Sequence, residues 1–177
     1  SFGEQETFER DTTDEHFLRA KLRQMADRLL IKLRAERRTA RTLELRIRYN
    51  DFDEARRSES FPEPTDLESD VYPVIDRLLR RAWERRVSLR LVGLKFSNLY
   101  DVRFQDTLAL EWAPDTTKAD HVPKGRRQDA AGAVDRIRET YGASAILRGH
   151  DLFLQNRRSE SGDRKASEDR KAESENR

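Results

Sequence analysis

Residues Arg41–Phe52 read RTLELRIRYNDF, and Leu43, Leu45, Ile47 and Tyr49 alternate there with Thr42, Glu44, Arg46 and Arg48. A strict period of two marks a β-strand with one buried face and one wet face. The wet face carries Arg46 and Arg48 two residues apart, so both guanidiniums project from the same side of a sheet. Cations held on such a surface can grip a polyanion; the plainer alternative is a solvated strand.

Upstream, Ser1–Phe8 reads as a short edge strand. Thr12-Thr13-Asp14-Glu15 then forms a capping box in which the Thr12 hydroxyl satisfies a free backbone N–H and Glu15 reaches back. Leu18, Leu22, Met25, Leu29 and Leu33 follow at spacings of three and four, which predicts an amphipathic helix to Arg37. Downstream of the Thr42–Asn50 strand, Asp51–Glu54 reads as a turn and Arg56–Phe61 as the second arm of a hairpin. Phe61-Pro62-Glu63-Pro64 forces extended backbone and stops pairing. A second capping box, Thr65-Asp66-Leu67-Glu68, opens a helix with Leu67, Val71, Ile75, Leu78, Leu79, Ala82 and Trp83 on one side. Pro73 predicts a kink or a late start there. Val87–Leu99 reads as a strand whose apolar phase shifts around Gly93, predicting a bulge at that glycine.

The expected class is therefore α+β: a ferredoxin-like split β-α-β-β-α-β unit over residues 1–100, a four-stranded sheet with two helices on one face and the other face open. Residues 101–126 lack periodicity and carry Pro114, Pro123 and Gly125, so they read as a linker. Residues 127–155 read as a short helical C-terminal segment, with Val134, Ile137 and Tyr141 on one side and Gly142 as the stop. Residues 156–177 read as a disordered charged tail. From Arg157 onward thirteen of twenty-one residues are charged and only Ala166 and Ala172 are apolar, too little to bury.

Over the whole chain of 177 residues 40% are charged, yet the net charge is only +2. Nucleic-acid affinity must then come from the clustering of charge rather than its total. With no cysteine, disulfides and thiolate metal sites are excluded. No apolar run approaches the ~20 residues of a membrane span, so no membrane contact is expected; a cytoplasmic location and a monomer are separate expectations. The chain does not open on methionine, as expected of a piece of a longer polypeptide.

Catalytic signals are absent. His16, His121 and His150 fall in no metal-ligand or nucleophile spacing and read as surface residues. Asp51 and Asp53 come nearest to a metal pair, but acidic turns between strands are ordinary. No catalytic residue, no metal site and no cofactor are expected in this chain. The open sheet face offers Thr42, Arg46 and Arg48, some of Arg56, Arg57, Ser58 and Ser60, and Ser88, Arg90, Lys95 and Ser97. Hydroxyls and guanidiniums ~7 Å apart along a strand match successive phosphates. An RNA-recognition fold shares the element order but stacks bases on outward aromatics. Here Tyr49 and Phe61 are in phase with the core, which favours backbone contact with a duplex over a single-strand-binding module.

SFGEQETFERDT, RTLELRIRYNDF, RRSESFPEPT and RLVGLKFSNL, in that order over Ser1–Leu99, resemble the successive signatures of the little-finger domain of Y-family translesion DNA polymerases, the DinB/polymerase IV group. RRQDAAGAVDRIRETYGASAILRG extends the likeness to the helical ending of many bacterial members. The resemblance implies a domain that lays its sheet against template–primer duplex DNA and contacts phosphates. By position the implied contact residues are Ser1, Thr7, Arg46, Arg48, Arg56, Arg57, Arg90 and Lys95. Glu4 and Glu6 depart from the pattern: either the first strand faces DNA less closely or these acids point elsewhere. The chemistry of such a polymerase uses palm carboxylates and two Mg²⁺ ions, which belong upstream of Ser1. The fragment itself is not expected to be an enzyme, whereas its parent is, the alternative being a non-catalytic Y-family-like accessory protein. Members also carry a sliding-clamp peptide after the little finger. Gln105, Leu108 and Leu110 match it, with Glu111 in place of the aromatic and Trp112 one step later. Otherwise Leu108, Leu110 and Trp112 pack on the domain as an extra strand.

Overall fold

A computed structural model of the chain describes residues 1–102 and 124–159. The element order is β1 (Phe2–Thr12), α1 (Glu15–Ala35), β2 (Arg38–Tyr49), β3 (Glu54–Thr65), α2 (Glu68–Ala82), β4 (Leu89–Asp101) and α3 (Lys124–Tyr141), followed by a helical stretch over 149–159. The four strands form one antiparallel sheet in the order β1-β4-β2-β3. Each helix crosses over one intervening strand: α1 joins β1 to β2 across β4, and α2 joins β3 to β4 across β2. This is the split β-α-β-β-α-β arrangement expected. Periodicity does not report strand order, and here β4 and β2 take the centre instead of the first and third strands that occupy it in ferredoxin.

Leu43, Leu45 and Ile47 of β2 are fully buried, and their β4 partners Phe96, Leu94 and Val92 stand beside them on the same face. Leu18, Leu22, Met25, Leu29 and Leu33 of α1 and Val71, Ile75, Leu78 and Leu79 of α2 close over them in one core. Burial of each such side chain contributes about 2 kcal/mol. The Tyr49 hydroxyl spans the two layers and donates to the Ala82 carbonyl at 3.0 Å.

Several local expectations are corrected. The cap of α1 is Asp14, whose carboxylate accepts from the Phe17 N–H at 3.0 Å, while Thr12 accepts one step earlier from the Asp14 N–H. The helix ends at Ala35, two residues short of Arg37, because Arg37 turns to φ 53°. Strand β3 continues through Pro62 and Pro64 to Thr65, which an edge strand permits. Its pairing lapses between Ser60 and Thr65 and then resumes opposite Ala40. Helix α2 starts before Pro73, with Leu67 as a cap that offers no side-chain bond. The bulge in β4 lies at Arg90: Leu89 and Leu91 face Tyr49 and Arg48, whereas pairing runs unbroken through Gly93.

The C-terminal segment docks on the outside of the helical layer, away from the open sheet face. Asp135 of α3 receives Arg34 of α1 at 2.6 Å, and Arg127 reaches Asp70 of α2 at 3.1 Å. Arg148 binds Asp27, Tyr72 and Glu68. His150 Nε2 lies 3.0 Å from Asp27 with 8% of its side chain exposed, so it is not the surface residue its spacing suggested. His16 is exposed as expected; His121 lies outside the described residues, as do Gln105, Leu108 and Leu110. The helix over 149–159 carries ordered chain past Asn156, and residues 160–177 lie outside the description. Among the described residues no helix is long and apolar enough to cross a membrane.

Candidate nucleic-acid interface

Register places the outward side chains of the sheet in transverse rows. Thr7, Leu91, Arg48 and Glu54 form one; Gln5, Gly93, Arg46 and Arg56 the next; Gly3, Lys95, Glu44 and Ser58 the third; Ser97, Thr42 and Ser60 the last. Adjacent strands lie ~4.8 Å apart and alternate residues ~7 Å apart, so five predicted contact residues, Thr7, Arg46, Arg48, Arg56 and Lys95, share a patch three rows deep. Leu91 belongs to this face yet is only 2% exposed, because Thr7 and Arg48 flank it. The row of hydroxyls is tied together, with Thr42 Oγ1 3.0 Å from Ser60 Oγ and accepting from Asn98 Nδ2 at 2.9 Å.

The other three predicted residues lie elsewhere. Ser1 is exposed just before β1 begins. Arg90 sits in the bulge with its guanidinium 5.1 Å from the ring of Phe52 in the β2–β3 turn. Arg57 is paired with buried Leu45, so it emerges on the helix side and donates to Glu84 at 3.0 Å. Glu4 and Glu6 also point to the helix side, where Arg28 and Lys21 of α1 hold them. Their departure from the family pattern is thereby resolved: these acids do not face the open surface.

Glu54 is the functional neighbour that sequence spacing did not reveal. Arg46 and Arg48 both donate to its carboxylate at 2.6 Å, and Arg56 reaches it at 3.3 Å. Hydrogen bonds from Arg46 first, then Arg48, hold the Glu54 carboxyl down to about 2, against an ordinary 4.5. Beside this cluster a concavity of about 340 Å³ is lined by Gln5, Glu44, Arg46, Arg56, Gly93 and Lys95, among others. Gly93 lines it, and a Cβ there would press on the neighbouring strand, 3.2 Å from the Gln5 Cβ and 3.3 Å from the Glu4 carbonyl.

Other clusters are structural. Asp51 and Asp53 are both held by Arg85, which leaves neither positioned for a metal. Asp27, His150 and Asp151 converge within 4.8 Å, but the Arg148 guanidinium lies 2.7 Å from Asp27 and Tyr72 donates to the same oxygen. That Asp27 oxygen therefore already accepts from two donors. Burial first, then the Asp27 carboxylate, pushes the Tyr72 hydroxyl far up, so it remains a donor.

The model of the impB/mucB/samB family C-terminal domain matches residues 1–109. The chain belongs to that family. Its members' C-terminal domain is the little finger of Y-family DNA polymerases, in agreement with the resemblance in the sequence. DNA polymerase IV of Opitutus terrae is 31% identical over 152 residues, 86% of this chain and 36% of that protein. DNA polymerase IV of Dehalococcoides mccartyi is 26% identical over 155 residues, 87% of this chain and 37% of that protein. This impB/mucB/samB domain chain thus spans little more than a third of the length of the polymerases it matches. The insertion ternary complex of Dbh DNA polymerase superposes with a TM-score of 0.50 at 19% identity, over 56% of this chain and 28% of that one, a likeness of fold.

Proposed function

We propose that the open sheet face grips duplex DNA through its phosphates, without reading sequence, as the little finger of a lesion-bypass polymerase. The observation that supports this most is the gathering of Arg46, Arg48, Arg56, Lys95 and Thr7 on one face whose centre, at Gly93, carries no side chain. Guanidiniums fork onto phosphate oxygens, and a bare strand centre lets a backbone approach closely. The face carries no aromatic in its four rows. Tyr49 and Phe61 are 4% and 5% exposed, so within those rows unpaired bases meet no aromatic to stack on. Relatives named DNA polymerase IV support the same assignment.

In a parent protein of the relatives' length, Mg²⁺-dependent nucleotidyl transfer falls to residues outside this chain. The carboxylates described here that come closest to a metal set are taken by Arg85 and Arg148. Among the described residues nothing positions a nucleophile, so this chain's own role is to hold and orient the duplex in the cytoplasm, where bacterial relatives of this kind meet DNA. A sliding clamp is the second partner we assign, on the Gln105, Leu108 and Leu110 motif alone.

Competition between a labelled primer–template duplex and unlabelled single strands of equal length tests the reading. Duplex DNA is expected to displace the label at lower concentration than the single strand. Preference for the single strand would overturn it in favour of a strand-binding module.

A further inference from the structure

Three outward cations of the sheet converge on one acid. Arg46 donates from Nε to Glu54 Oε2 at 3.0 Å and from Nη2 to Oε1 at 2.6 Å. Arg48 donates to Oε1 from Nε at 2.8 Å and from Nη2 at 2.6 Å. Arg56 adds one bond from Nη2 to Oε2 at 3.3 Å. Arg46 and Arg56 are direct cross-strand partners, a like-charge pair that repels unless an anion lies between them. Glu54 supplies that anion and leaves the group of four side chains with two positive charges in excess.

The carboxylate is shaped as a phosphodiester is toward a guanidinium: two oxygens meeting a planar fork. The group is also in water, with a quarter to a third of the Arg46, Arg48 and Glu54 side chains exposed and more than half of Arg56. Exposed ion pairs are weakly held and exchange freely. The glycine-floored concavity lies beside Arg46 and Arg56, while Arg48 and Glu54 sit one row away. A phosphate entering over Gly93 therefore meets Arg46 and Arg56 first, and Arg48, with both of its bonds on one Glu54 oxygen, is the partner best placed to retain the acid.

We propose that Glu54 is a resident counter-anion of the phosphate site: it gathers Arg46, Arg48 and Arg56 in the free chain and surrenders Arg46 and Arg56 to a DNA phosphate. The acid pre-sets the guanidiniums and at the same time competes with the ligand, so it sets affinity below what the arginines alone would reach. The proposal rests on the duplex-DNA reading above and concerns the regulation of that same site. Because its carboxyl is held at about 2, Glu54 stays anionic at every physiological pH, and the competition is permanent rather than switched by protons.

The test compares Glu54→Gln, which keeps shape and loses charge, with Glu59→Gln. Glu59 is an acid of β3 that faces the helix side and binds Arg77 at 2.6 Å, so its loss changes net charge equally but away from the site. Anisotropy with a labelled duplex should show Glu54→Gln binding roughly three- to tenfold tighter at low salt, the scale of one nearby charge, with a log–log salt slope about one unit steeper. Glu59→Gln should stay within about twofold of wild type. Unchanged or weaker binding by Glu54→Gln, or equal tightening by Glu59→Gln, overturns the counter-anion role. Glu54→Ala, with melting curves for all variants, replaces Gln should that variant fold poorly, and the same outcomes decide. Arg46→Ala/Arg48→Ala is run in parallel. If that variant loses affinity while Glu54→Gln gains none, only the counter-anion role falls; if it binds as wild type does, the DNA reading falls with it.

Discussion

Lys21 of α1 reaches Glu6 of β1, ammonium to carboxylate at 2.7 Å, with only 8% of the lysine side chain exposed. Two turns along the same helix, Arg28 holds Glu4 in the same manner. Glu4 and Glu6 of this edge strand are thus drawn to the helical side and neutralised there. Glu4→Gln and Glu6→Gln should leave duplex affinity within about twofold of wild type, since screening separates them from the outer face. Glu6→Gln, which strips a buried lysine of its charged partner, should cost about 1–3 kcal/mol. Binding titrations paired with thermal melts check both.

Arg56 and Arg57 are neighbours in sequence and opposite in orientation, with Arg56 across from Arg46 and Arg57 across from Leu45. Arg56→Ala is expected to weaken duplex binding several-fold and reduce the salt slope by about one. Arg57→Ala should do neither, because its guanidinium is spent on Glu84 on the other side of the sheet. Salt-series titrations of the two single variants distinguish them.

Gly93→Val tests shape without altering charge. Its Cβ would press on Gln5 and the Glu4 carbonyl, so the neighbours must shift at a cost of about 1–3 kcal/mol. The remaining branches would stand in the concavity. The expected outcome is weaker duplex binding with an unaltered salt slope, since no cation is lost.

The docked C-terminal segment makes stability depend on acid. Burial works to raise the Glu68 carboxyl, but Arg34 and Arg148 outweigh it and hold the folded value below the ordinary 4.5. A depressed folded value means that stability is present above the unfolded value and is lost as pH falls through the folded one. The melting temperature of wild type should therefore decline from about pH 4.5 downward, and Glu68→Gln should flatten that decline. Arg34→Ala, which leaves Glu68 and Asp135 in a side-chain environment about 10–20% exposed, should destabilise by about 3 kcal/mol. Differential scanning calorimetry across that range reads both effects.

Strand and helix positions were legible because Leu43–Tyr49 and Leu18–Leu33 repeat with the periods of their elements. Orientation at the hairpin was not. Whether Arg56 or Arg57 faces out, and that Glu54 falls opposite Arg48, depends on a four-residue turn in which the Tyr49 N–H donates to the Asp53 carbonyl at 2.8 Å. A one-residue change in turn length would exchange the faces. The bulge was misplaced for a related reason. Leu91 is apolar yet faces outward, which moves the apparent break in phase toward Gly93 and away from Arg90, where pairing in fact slips. The docking of α3 and residues 149–159 leaves little trace in the apolar pattern, because it is made largely by ion pairs from Arg34, Arg127 and Arg148 to acids distant in sequence.

Phosphate gripping by the outer face is tested most directly by duplex affinity across a salt series for wild type and Arg46→Ala/Arg48→Ala. Each phosphate contact contributes about 0.9 to the log–log slope. The expected result is a steep slope for wild type, reduced by about two in the double variant, with affinity lowered at least tenfold at low salt. A flat slope for wild type, or a double variant whose slope and affinity match it, would contradict the account.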